Sequence, residues 1–228
     1  MFSKAPLSLW GKRGFCLFKR IKMDWLNEER EAWEAGYVCL AGIDEAGRGA
    51  LAGPVVAACV VLPHAVVPAG VNDSKALTAA QRELGFAEIQ RVARGVGVGI
   101  VEASVIDEIN ILQAAHRAMR LALADLPCGL FPDLALIDGL PVRPFPLSQW
   151  ALIKGDSRSA TIAAASIIAK VTRDRMMREY DLTYPGYGFA AHKGYGAPIH
   201  LRALAELGPC PLHRRTYRPV AERITAQK

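Results

Sequence analysis

Asp44 and Glu45 are adjacent carboxylates just past an apolar run, Tyr37 to Ala41, and the loop Gly47-Arg48-Gly49 follows them directly. Two acids and a guanidinium at a strand end are the groups that hold a divalent metal and a phosphate. Two more acids repeat the placement. Asp138 closes the short apolar segment Asp133 to Ile137 and is followed by glycine, and Asp156 follows Trp150 to Ile153 after Lys154-Gly155. In α/β sheets, functional groups gather outside the carboxyl ends of strands, so three strand ends bring Asp44, Glu45, Asp138 and Asp156 toward one place. On an ideal strand Asp44 and Glu45 face opposite sides of the sheet, so both reach that place only if the strand stops or twists there.

Four clustered carboxylates cannot all ionise unaided. One like-charged pair about 4 Å apart costs on the order of 4 kcal/mol at an effective dielectric of 20. Either some of the acids are protonated or divalent cations lie among them. Oxygen donors without histidine or cysteine favour Mg²⁺ or Mn²⁺ over zinc. Two such ions clamping a phosphodiester would activate a water and stabilise the leaving oxygen, which is nuclease chemistry. Each motif alone has a plainer reading: Asp-Gly after a strand is commonly a turn, and Asp156 beside Lys154 can be a surface pair. The coincidence of three acidic strand ends, one beside a Gly-Arg-Gly loop, carries the metal reading. A rival class is dinucleotide binding, since Gly47 to Ala52 fits G-x-G-x-x-A. That motif needs a helix to start there, whereas Gly53-Pro54 and a β-branched run follow, and Asp44 and Glu45 would repel a pyrophosphate. It is rejected on that context.

The elements that position these groups follow from the pattern. Asp24 to about Ala35 reads as a short polar helix ended near Gly36. Tyr37 onward is the first strand, Pro54 to Leu62 the second, and the glycine-alternating Gly95 to Val101 a third that other backbone approaches closely. Thr78 to Arg94 reads as a helix with Thr78 as N-cap and Leu84, Ala87 and Ile89 inward. Ser104 to Ala124 is a long helix burying Ile111, Ala115, Ala118, Ala122 and Leu123. Thr161 to Tyr180 is an alanine-rich helix whose charged half, with Lys170, Arg173, Arg175 and Arg178, is either a basic face toward nucleic acid or a solvated one. One further helix runs from about Ile199 to Leu207. Strands followed by alternating helices and strands predict an α/β sandwich with a mixed sheet.

The chain has 228 residues, 51% of them hydrophobic, and a formal charge of +6. That allows a sizeable core and is compatible with a nucleic-acid partner. Five scattered cysteines without a CxxC pair argue against a disulfide framework or zinc site. The longest apolar run, Val55 to Leu62, is too short to cross a bilayer, so no membrane association and a cytoplasmic location are expected. Residues 1 to 23 are basic with interspersed aromatics and carry no signal-peptide core. They read as an extension or a basic arm, and Met23 is a candidate start.

Taken together, the motifs resemble the type 2 ribonucleases H, the bacterial ribonuclease HII family. The resemblance runs from about Val38 to Val220. It rests on Gly42-Ile-Asp-Glu-Ala-Gly-Arg-Gly49, Asn72-Asp-Ser-Lys75, Ile137-Asp-Gly139 and Lys154-Gly-Asp156, and continues through Ala164 to Lys170, Tyr187-Gly-Phe189, His192-Lys-Gly-Tyr195 and His213-Arg-Arg215. It implies a ribonuclease H-like mixed five-stranded sheet flanked by helices, with a small helical C-terminal extension. The expected divisions are residues 1–35 as an N-terminal extension, 36–183 as the catalytic domain and 184–228 as a substrate-contacting extension. The implied activity is hydrolysis of RNA in RNA–DNA hybrids and incision 5′ of single ribonucleotides in duplex DNA, leaving 5′-phosphate and 3′-hydroxyl ends. By resemblance Asp44, Glu45, Asp138 and Asp156 are the catalytic acids, binding Mn²⁺ or Mg²⁺, two ions during catalysis. Gly47, Arg48 and Gly49 look like the loop that senses a ribose 2′-hydroxyl, Tyr195 like the tyrosine packing on the following sugar, and Ser74 and Lys75 like a phosphate-contacting loop. The histidines are assigned no role, with His192 and His213 left as candidates for positioning loops, and the enzyme is expected to act as a monomer. A different nuclease on the same fold, or a binding protein that has lost catalysis, are the remaining rivals. Retention of all four acids speaks against the latter.

Overall fold

The structure, a computed structural model, describes residues 24–71, 74 and 77–226; Lys75 and the basic segment ahead of residue 24 lie outside them. Five strands form one mixed sheet in the order β3-β2-β1-β4-β5. They are β1 (Leu40–Ala46), β2 (Val55–Val61), β3 (Gly95–Val101), β4 (Leu134–Asp138) and β5 (Ser148–Leu152). β2 runs antiparallel to β1 and β3, while β4 runs parallel to β1 and β5. Strand β1 is therefore central, and both its neighbours help to place its acidic end.

Alternation along the strands sorts the core into two faces. Ala41, Ile43, Ala57 and Cys59 pack against Ile106, Ala115, Ala118 and Ala122 of α3 (Ala103–Ala124). Ala58 and Val60 pack against Ala163, Ala164, Ile167 and Ile168 of α4 (Ala160–Thr183). The close approach expected at β3 is present: a Cβ added at Gly99 would lie 1.9 Å from the Ala118 carbonyl oxygen. Only glycine lets α3 lie directly on that strand.

Helix α1 (Asn27–Glu34) is polar yet not merely solvated. Glu29 is buried, and its Oε1 accepts from Ser159 Oγ at 2.6 Å, Thr161 N at 3.0 Å and Thr161 Oγ1 at 2.8 Å. A carboxylate at the first turn of α4 satisfies donors that a helix leaves unpaired, and so fixes where α4 starts beneath the sheet.

Several expectations are corrected. β1 begins at Leu40, not Tyr37: Val38 is 76% exposed, and the Val38 and Cys39 amides donate to Asp133 instead of to a strand. In α2 (Ala79–Val92) the Thr78 cap holds as part of a capping box, but Leu84 is 73% exposed and Ala87 is also outside. Gly85, Phe86 and Ile89 form the inward face, because Gly85 lies against Ile167 and lets α2 and α4 approach. Helix α3 is broken at Asn110 (φ 65°, ψ 165°), whose Oδ1 accepts from the Leu112 and Gln113 amides and caps the continuation. Asparagine tolerates that left-handed backbone and supplies the local acceptor, so the helix restarts at a new angle.

The chain ends in three short helices, α5 (Phe189–His192), α6 (Pro198–Leu207) and α7 (Arg218–Ala226). Phe189 of α5 and Ala203 of α6 join Tyr187, Cys210 and Leu212 from the adjoining loops in an apolar cluster against Ala52 and Met177, while Val220 of α7 packs with Leu51 and Leu204. Among the described residues no helix is long and apolar enough to cross a membrane.

Candidate active site

The β1–β4 ladder stops at Ile43 and Ile137, whereas the β1–β2 ladder continues to Ala46 and Val56. Beyond Ile43 the β4 side of β1 is open. A cleft of about 440 Å³ occupies this opening, lined among others by Asp44, Glu45, Asp138, Arg48, Ser74 and Tyr195. Asp44 turns toward α4 and meets the Ser166 hydroxyl. Glu45 turns toward α3, where Glu45, Arg48 and Asp138 also wall a smaller cavity of about 90 Å³ floored by Leu112, His116 and Met119. The two acids do face opposite sides of the sheet. They share one cleft because the parallel neighbour ends, not because β1 itself stops.

The electrostatics of this end are unfavourable as it stands. Asp44 is only 5% exposed; burial, then Glu45 and then Asp138, hold its carboxyl well above the usual range. The Ser166 hydroxyl and the Glu45 amide at 2.7 Å oppose that shift without cancelling it. Burial also raises Glu45, against the pull of Arg48, whose Nη1 lies 3.1 Å from Oε1. Glu45 Oε2 is buried and has no hydrogen-bond partner among the described residues. Three mutually repelling carboxylates with an orphaned oxygen fit a hard divalent cation. Among the described residues no three acidic, histidine or cysteine side chains already have the spacing of a complete metal cage. An ion of the Mg²⁺ or Mn²⁺ kind held here would fill its remaining positions with water and phosphate oxygens.

Of the acids named from sequence, Asp44, Glu45 and Asp138 meet in the cleft. Asp138 Oδ1 accepts from the Gly155 amide at 2.7 Å. Asp156 follows that glycine in a single 3₁₀ turn, Gly155–Ser157, is buried, and is not part of the cleft lining. Ser74 is in the lining, with its Oγ 2.8 Å from Ser166 Oγ, so the chain Asp44–Ser166–Ser74 links β1 through α4 to the loop before α2. Ser166 went unassigned in the sequence. Lys170 also lines the cleft and pairs with Asp174 at 2.6 Å.

The charged half of α4, read from sequence as either a basic face toward nucleic acid or a solvated one, is not one surface. Arg173 is 1% exposed; its Nε, Nη1 and Nη2 donate to the carbonyls of Pro54, Lys193 and Ala52 at 2.9, 2.9 and 3.1 Å. Arg175 and Arg178 lie outside, and both reach Glu83 of α2. Helical spacing carries the signal that separates them, since Ala165, Ala169, Arg173 and Met177 fall four apart on one buried stripe. Arg173 packs behind Gly47, where φ is +97° and an added Cβ would lie 2.1 Å from the Arg173 Nε. Arg214 is the second buried arginine on this loop. It donates to the Gly47, Arg48 and Gly53 carbonyls and sits beside Tyr217. Arg48 itself is half exposed and Tyr195 partly exposed, both facing the cleft.

The histidines do hold loops. His200 Nδ1 donates to the Tyr195 carbonyl at 2.8 Å, and its Nε2 lies 3.0 Å from His213 Nε2. His213 Nδ1 accepts from the Cys210 amide at 3.0 Å. These bonds are all made only when both rings are neutral, with His213 donating to His200. Burial and His200 push His213 down to about 4. His192 accepts from the Gly194 amide and bonds the Tyr187 carbonyl.

Residues 41–220 match the family model described as ribonuclease HII. A ribonuclease HII of Geobacter metallireducens is 57% identical over 189 residues, covering 83% of this chain and 88% of the relative. One from Chloroflexus aurantiacus is 56% identical over 204 residues, covering 87% and 95%. The crystal structure of ribonuclease H2 from Pyrococcus horikoshii OT3 superposes with a TM-score of 0.73 at 28% identity, covering 83% of this chain and 98% of that one.

Proposed function

The chain belongs to the ribonuclease HII family, metal-dependent nucleases acting on RNA paired with DNA, and we propose that its cleft also cuts 5′ of single ribonucleotides embedded in duplex DNA. One observation carries the reading. Asp44, Glu45 and Asp138 meet in a cleft that the Gly47-Arg48-Gly49 loop and Tyr195 share.

In this reading Asp44, Glu45 and Asp138 hold Mg²⁺ or Mn²⁺, two ions during turnover, with Asp156, buried outside the cleft lining, as the fourth acid of the set. Bound there, the metal supplies Lewis-acid polarisation of the phosphodiester and a more acidic water. The carboxylates would orient a water for attack on phosphorus as the bond to O3′ breaks, leaving a 3′-hydroxyl and a 5′-phosphate. Arg48 stands at the rim beside Glu45, placed to meet a phosphate. The backbone of Gly47 to Gly49 can approach a ribose 2′-hydroxyl where a larger side chain would collide. Tyr195 offers a ring to the neighbouring sugar. Ser74 serves the substrate indirectly, because its hydroxyl is engaged with Ser166; Lys75 is assigned with it as a phosphate contact.

The test uses end-labelled duplex DNA with one ribonucleotide, the matching all-DNA duplex and an RNA–DNA hybrid, each with Mg²⁺, Mn²⁺ or excess chelator. Metal-dependent cutting of the hybrid, and of the first duplex on the 5′ side of the ribonucleotide with the DNA control intact, is expected. Cutting of the all-DNA duplex, or no response to chelator, would overturn the reading.

A further inference from the structure

The loop 47–53 has its carbonyls turned inward. Arg214 Nη2 donates to the Gly47 carbonyl at 2.6 Å and to the Gly53 carbonyl at 3.0 Å, Nη1 to the Arg48 carbonyl at 2.8 Å, and Nε to the Gly53 carbonyl at 3.1 Å. Tyr217 Oη donates to the same Arg48 carbonyl at 2.9 Å. Asp107 of α3 accepts from the Arg215 and Thr216 amides at 2.8 and 2.9 Å, which anchors the turn that carries Arg214. Arg214 is fully buried.

A trans peptide sets its carbonyl and its N–H on opposite sides. If the Gly47 and Arg48 carbonyls face Arg214, the N–H groups of Arg48 and Gly49 face the other way, toward the cleft that these residues line. Among the described residues neither amide donates to a protein group. A planar fork is needed for this, because it reaches three carbonyls in fixed directions where an ammonium offers a single mobile point.

We propose that Arg214, seconded by Tyr217, is a positioning residue for ribose recognition: it locks the loop so that the Arg48 and Gly49 amides form a two-donor hole toward the substrate sugar. The assignment rests on the function proposed above and gives that loop the device that shapes it. Arg214 touches no substrate. Its loss acts through the direction of two amides, so it affects discrimination at the ribose more than grip on the phosphates.

The experiment compares wild type, Arg214→Lys and Tyr217→Phe, well below each protein's melting temperature. It measures kcat and KM on the single-ribonucleotide duplex and Kd on the matching all-DNA duplex. For Arg214→Lys, kcat/KM should fall by roughly 100-fold, the scale of a misplaced recognition group, while Kd for all-DNA duplex stays within about twofold, as phosphate contacts set it. Tyr217→Phe should lose about fivefold in kcat/KM, the scale of one hydrogen bond, with the same unchanged DNA affinity. If Lys at 214 prevents folding, Tyr217→Phe decides alone. Variants that fold and keep wild-type kcat/KM, or that lose affinity for both duplexes in equal proportion, overturn the assignment. Wild type that fails to cut the ribonucleotide duplex selectively would instead remove the proposed function, and this inference with it.

Discussion

Two groups of buried ionisable side chains flank the loop 47–53, and they hold their charge in opposite ways. On one side Asp44, Glu45 and Asp138 face one another across an open strand edge, with Glu45 Oε2 left without a partner among the described residues. On the other, every guanidinium nitrogen of Arg173 and Arg214 donates, and both rings of His200 and His213 are fully bonded. Burial is similar in the two places, so burial alone does not mark function. The difference lies in completion. A satisfied buried charge organises backbone, whereas an unsatisfied one costs stability until something outside the chain balances it.

The sharpest way to break the contrast is to remove a charge from each side. Asp44→Asn should reduce kcat by about 10³-fold or more, the scale of a group stabilising transition-state charge. In the same variant the metal-free protein should melt higher than wild type at neutral pH. Asp44 has a raised folded-state pKa, so its contribution is fully present below the unfolded value and is lost as pH rises through the folded one. The stabilisation by asparagine should therefore shrink as pH falls, and melting curves at several pH values check it. Arg173→Ala should do the reverse. Three carbonyls lose their donor and a cavity opens, costing roughly 3–5 kcal/mol, which for a chain of this size is on the order of 10 °C in melting temperature.

Acid reads the scaffold directly. His213 is depressed from 6.5 to about 4, so it contributes stability above its unfolded value that is lost as pH falls through the folded one. The loss should begin near pH 6.5 and be complete below about 4, on the order of 3 kcal/mol in total. His213→Gln should flatten that limb of the pH–stability curve, and denaturant titrations at each pH measure it. The smallest effect belongs to Arg175→Ala. Its exposed pair with Glu83 predicts a change of no more than about 0.5 kcal/mol. A larger loss would mean that completion is not what separates scaffold from surface on α4.

The acid side was legible in the sequence because its signals are local: an Asp-Glu doublet ahead of a Gly-Arg-Gly loop, and an aspartate closing a short apolar strand. The scaffold was not, because its bonds span the chain. Arg173 meets Pro54 across 119 positions and Arg214 meets Gly47 across 167. No local pattern announces an arginine that binds distant carbonyls, and a run such as Lys170 to Arg178 reads as one charged face. The same holds for Glu29, whose partners Ser159 and Thr161 lie beyond five strands and two α-helices in the chain. Asp156 shows the opposite limit. Its position after a strand was clear, but the 3₁₀ turn that buries it outside the cleft lining depends on Lys154 taking a left-handed backbone, φ 56°. Nothing in the residues before it requires that.

The central claim is that Asp44, Glu45 and Asp138 form a cation site completed from outside the chain. Calorimetric titration of Mn²⁺ into wild type and Asp44→Asn, in buffers of different ionisation enthalpy, tests it most directly. Wild type should bind saturably and release protons, more of them as the starting pH is lowered, because the raised Asp44 carboxyl must deprotonate to take the ion. The variant should bind far more weakly and without that release. Equal binding by the two proteins, or binding by wild type with no proton release at any pH, would contradict it.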